Sequence, residues 1–121
     1  THAFEAHDVK KLILQDVEVS WSRQKQESWQ SALAFRNIED LKLSRFSAEA
    51  VDRKKRLPII YGENIQTAWF KDLYFSDDSA IGLLLQGKET KNVEVGNIYA
   101  DIEKKLVLGK FIDPNEVISV K

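Results

Sequence analysis

The chain has 121 residues, 43% hydrophobic and 31% charged, with a formal net charge of -1. That is room for about one domain and is too apolar for a disordered tail. No run nears the ~18 apolar residues of a spanning helix, and the balance of charge argues against a dedicated nucleic-acid binder. Cysteine is absent, which excludes disulfides and thiolate metal sites. Methionine is absent too, and an opening Thr1-His2-Ala3 without a signal-peptide pattern reads as an excised piece or a mature fragment.

Taken in chain order, the predicted elements repeat. A lead-in strand at Ala3–Ala6 is followed by Val9, Leu12, Leu14, Val17 and Val19. A second lead-in, Ala32–Phe35, is followed by Ile38, Leu41, Leu43, Phe46 and Ala48. Leu57–Tyr61 then leads to Ile65, Ala68, Phe70, Leu73 and Phe75, and Ile81–Leu85 to Thr90, Val93, Val95, Ile98 and Ala100. If the first residue of each set is position zero, apolar residues recur at zero, plus three, plus five, plus eight and plus ten. Only Thr90 is weak.

A helix does not explain this spacing. At ~100° per residue the five positions scatter around the axis and make no stripe. Steps of two fit short strands, and steps of three fit bends that keep apolar residues inside. Asp8, Asn37 and Asn64 stand just before position zero, where Asp and Asn suit a sharp left-handed bend. Successive copies lie 25–29 residues apart, and short strands with tight bends at such a period describe a β-solenoid. A two-layer sandwich of hairpins is the competing architecture, but hairpins have no need for one spacing four times.

The phrases Ala32–Leu41, Leu57–Ile65 and Leu83–Val93, with a closing Leu106-Val107-Leu108-Gly109, make the sequence resemble the right-handed parallel β-helix of the pectin-lyase-like superfamily. More narrowly it is similar to the C-terminal coils of bacterial glycoside hydrolase family 28 proteins, the polygalacturonase relatives. The resemblance covers nearly the whole chain and implies an all-β right-handed parallel β-helix of about four coils over 1–112, with a C-terminal tail over 113–121. It implies a parent acting on pectic galacturonans outside the cytoplasm, extracellular or periplasmic. The family's aspartate cluster and Gly-His-Gly do not occur here, and the one aspartate pair, Asp77-Asp78, lies in a turn-like connector. No catalytic residue is therefore carried over, and the chain itself is expected to stack on the N-terminal coils of its parent as a structural or capping segment.

Other chemistry is sparse. His2 and His7 are the sole histidines, without partners at zinc-ligand spacing, and no phosphate loop or nucleophile motif is visible. No metal or cofactor is expected. Outward positions plus four (Ile13, Lys42, Trp69, Glu94) and plus nine (Glu18, Ser47, Tyr74, Tyr99) are more informative. They bring Tyr74 and Tyr99 onto neighbouring coils, with Trp69 across the preceding bend, as a platform for sugar rings or a surface under a covering loop or partner. The connector bearing Arg53, Lys54, Lys55 and Arg56 would attract an acidic polysaccharide, or is simply a solvated loop. Two alternatives to the structural role stand: a non-catalytic carbohydrate-binding module, and a structural, adhesin-like β-helix that would be trimeric.

Overall fold

The computed structural model describes residues 2–21, 31–49, 57–76, 81–100, 102 and 104–119. Within them the chain is a parallel β-solenoid. β1 (Phe4–Val19) and β2 (Leu33–Ala48) are long strands that each run through a complete rung. The third rung divides into β3 (Pro58–Ile65) and β4 (Ala68–Phe75), and the fourth into β5 (Ile81–Gln86), β6 (Val93–Val95) and β7 (Ile98–Tyr99). Every pairing between rungs is parallel. About three turns thus separate the first rung from the fourth.

The register follows the five-position spacing. Val9, Leu12, Leu14, Val17 and Val19 pair with Ile38, Leu41, Leu43, Phe46 and Ala48. Those pair in turn with Ile65, Ala68, Phe70, Leu73 and Phe75. Val93, Val95 and Ile98 continue the rows beside Ala68, Phe70 and Leu73. The rows point inward and form one core, in which Phe35, Ile38, Leu43, Phe46, Phe70 and Leu73 have no exposure at all. Thr90, the weak match, is buried because its hydroxyl accepts from the Ile65 N–H at 3.2 Å and donates to the Gln86 carbonyl at 2.8 Å. A hydroxyl that replaces backbone partners costs little to bury.

Left-handed bends break each rung. Asp8, Asn37 and Asn64 have φ of 58°, 55° and 55°, as the sequence predicts. A second column stands at plus seven, with Asp16, Arg45 and Asp72 at φ 56°, 50° and 56°. Arg45 hides this column in the sequence, because arginine is not a residue that favours positive φ. Its guanidinium instead grips the Asp16 carboxylate of the rung below, with Nη2 donating to Oδ2 at 3.0 Å. Asn37 donates to Asp8 Oδ1 in the other column at 3.0 Å.

The ends differ from the middle. Phe4 is 40% exposed, and Val9, Leu12, Leu14, Val17 and Val19 are only half-buried, since no rung among the described residues covers β1. At the other end β8 (Lys104–Leu108) pairs with β5, and beyond Ile112, where the sequence reads as a tail, the chain continues the stack. A 3₁₀ turn at Pro114–Glu116, capped by the Asp113 carboxylate, leads into β9 (Val117–Ser119), which pairs with β6. The β9 strand is short and carries no five-position pattern, so periodicity does not reveal it.

Two outcomes follow. Leu43→Ala should cost ~2–5 kcal/mol in denaturant unfolding, Leu14→Ala less because its side chain already touches water, and Lys42→Ala about 0.5 kcal/mol or less. The bond to Arg45 holds the Asp16 carboxyl below its ordinary value of 3.8. Its stabilising share is complete above that value and is lost as pH falls through the lowered one. Asp16→Asn should therefore flatten the acid limb of a stability-against-pH curve and leave its shape above neutrality unchanged.

Candidate functional site

Strand alternation sends plus-nine side chains outward, and the parallel register then puts Tyr74 beside Tyr99. The rings stack at 4.7 Å between centroids and 13° between planes. Both remain open to solvent, at 46% and 47% exposure. Partial desolvation, followed by the charge of Asp72, pushes the Tyr99 phenol above its ordinary 10.0. Asp72 is the third residue of the plus-seven bend column, so backbone geometry and the platform share one residue.

Trp69 has different surroundings. It pairs with Lys42 and Glu94 across the rungs, is half-buried, and lies under the Lys71 ammonium, which sits 5.7 Å from the ring centroid. Trp69 and the tyrosine pair fall on opposite sides of the bend at Asp72. Arg53, Lys54, Lys55 and Arg56 lie outside the described residues, as does Asp77-Asp78.

Two further features were not singled out from the sequence. On the lead-in sheet, Arg36 lies 5.4 Å over the Tyr61 ring and 3.5 Å from Glu63, while Gln86 Nε2 donates to the Tyr61 hydroxyl at 2.6 Å. Desolvation raises the Tyr61 phenol, with Glu63 next. The signal was available, since Arg36, Glu63 and Gln86 share one register column. The other is a groove of ≈ 470 Å³ along the first bend column, lined by Asp8, Lys10, Asn37, Glu39, Asn64 and Glu89 among others. Within it Asn37 donates to Asp8 Oδ1, and Asn64 Oδ1 accepts from the Glu89 N–H. Among the described residues no group of three or more His, Cys, Asp or Glu is placed to hold a metal ion.

No protein-family model, curated protein or solved structure matches the chain. Chemistry must therefore be read from the surface itself, where the tyrosine stack offers an apolar face bordered by carboxylates and hydroxyls. Asp72→Asn removes the negative charge that helps hold the Tyr99 proton. It should lower the Tyr99 ionisation in an ultraviolet pH titration and leave Tyr61 where it was.

Proposed function

We propose that this chain is a structural, stacking segment of a carbohydrate-active parallel β-helix, of the kind that resembles polygalacturonase-type glycosidases. The observation that supports it most is the first rung. β1 carries the full inward row, yet that row is half-exposed where the same positions one rung on are sealed. A preceding coil with the same spacing would bury Phe4, Leu12 and Leu14 and pair the open strand edge, which otherwise invites association. Hydrolysis by inversion needs two carboxyls ~6.5–9.5 Å apart across a sugar, and in this reading other coils of the parent supply them. The parent's substrate is a pectic galacturonan, and its place is extracellular or periplasmic.

The test lies in the reading frame upstream of Thr1. It should encode further copies of the five-position pattern together with paired aspartates and a Gly-His-Gly. A polypeptide carrying both parts should release reducing ends from polygalacturonate, and the present 121 residues alone should release none. An upstream sequence that lacks the pattern would contradict the stacking role. An upstream sequence with the pattern but without the carboxylates would contradict the glycosidase parent.

A further inference from the structure

The stacked tyrosines have an open neighbour. The plus-nine column runs Glu18, Ser47, Tyr74, Tyr99 through four successive rungs. Tyr99 covers one face of Tyr74. The other face looks along the column over Ser47, which is too small to cover it. Beyond Ser47 stands Glu18, two rungs from Tyr74, or about 10 Å at the usual strand spacing.

A recess of ≈ 280 Å³ occupies this place. Its lining is three adjacent columns of the first three rungs. Glu18, Ser47 and Tyr74 form one, Val19, Ala48 and Phe75 the next, and Ser20, Glu49 and Ser76 the third. Backbone bonds from Glu49 N–H to the Val19 carbonyl and from Ser76 N–H to the Ala48 carbonyl hold the third column in register. Glu49 is fixed further, since its Oε1 accepts from the Trp21 N–H at 2.8 Å and its carbonyl from the Trp21 indole at 3.0 Å.

We propose that this recess is a binding slot for one pyranose ring of a neutral or amino sugar, and that it rejects uronic acids. A ring in van der Waals contact with an aromatic face lies ~3.5–4.0 Å from it, which seats the sugar directly above Ser47. Its C–H face meets Tyr74, and its hydroxyls meet the Ser47 hydroxyl and the carboxylates of Glu18 and Glu49, which are acceptors for sugar O–H groups and cannot donate. The carboxylates of Glu18, on the first rung, and Glu49, on the second, repel a third, and no lysine or arginine lines the recess to pair with it. The slot is thus not a subsite for a galacturonan backbone. It needs only this chain, so it stands or falls apart from the reading of the parent.

Isothermal titration of the 121-residue protein with pentamers of β-1,4-linked glucose, mannose and glucosamine, and of α-1,4-linked galacturonic acid, reads this directly. Binding of at least one of the first three, with none by the galacturonate pentamer, is the expected result. Tyr74→Ala should weaken that binding about tenfold. Ser47→Tyr, which extends the tyrosine stack into the slot, should abolish it while the circular-dichroism spectrum and unfolding midpoint are kept. Glu18→Gln together with Glu49→Gln should admit the galacturonate pentamer. No heat with any of the four sugars, equal or better binding of galacturonate by the unaltered protein, or binding indifferent to Ser47→Tyr would each overturn the proposal.

Discussion

In-register stacking of five inward positions is the constraint on which everything else rests. A parallel strand pair commits every side chain on both strands to one face or the other, and a slip of one residue would turn Leu41, Leu43 and Phe46 outward. The rows at Val9/Ile38/Ile65 and Leu14/Leu43/Phe70/Val95 remove that freedom, because each rung can bury its apolar side chains only opposite the same positions of the next. Stability in such a stack is a sum of neighbour interfaces. That is why the middle rungs are sealed and the first is half-open.

The bends follow from the same constraint. A rung must turn while it keeps the row inside, and in the first three rungs the left-handed backbone at minus one and plus seven does so at one residue each, whereas the fourth turns at Gly87 and Asn92. Asp and Asn accept that conformation with little strain, and their side chains then lie one above another. The bend columns therefore become polar ladders, with Asn37 on Asp8 in one and Arg45 on Asp16 in the other. An arginine at φ 50° is the less favourable choice, and its guanidinium there makes a two-pronged bond to Asp16.

Most of the fold was legible because periodicity of apolar residues is a direct trace of the core. The lead-in strands, the inward rows and the first bend column can be written down from Val9, Ile38, Ile65 and their successors. Thr90 breaks the apolar pattern but keeps its place by hydrogen bonding, which spacing reveals and hydropathy does not. The second bend column escaped because Arg45 interrupts an otherwise acidic series. The β9 strand escaped because three residues hold no period. At the surface, the pairing of Tyr74 with Tyr99 follows from register alone, whereas the separation of Trp69 depends on the turn at Asp72, and the slot depends on what is missing at Ser47. Small residues between large ones carry no hydrophobic signal, so a recess in an outward column is read only once the columns are aligned.

Alignment of the columns is thus the central claim, and the absence of cysteine makes it directly testable. Strands about 4.8 Å apart bring in-register Cα atoms within the 4.4–6.8 Å range that a disulfide spans. Ile13 and Lys42 are exposed partners on adjacent rungs, while Lys11 is partnered by Asp40. Mild oxidation of the double variant Ile13→Cys/Lys42→Cys should give an intramolecular disulfide in nearly every molecule, and Lys11→Cys/Lys42→Cys should stay largely reduced. Preferential closure of the second pair, or of neither, would contradict the stacking register and with it the account of core, bends and surface built on it.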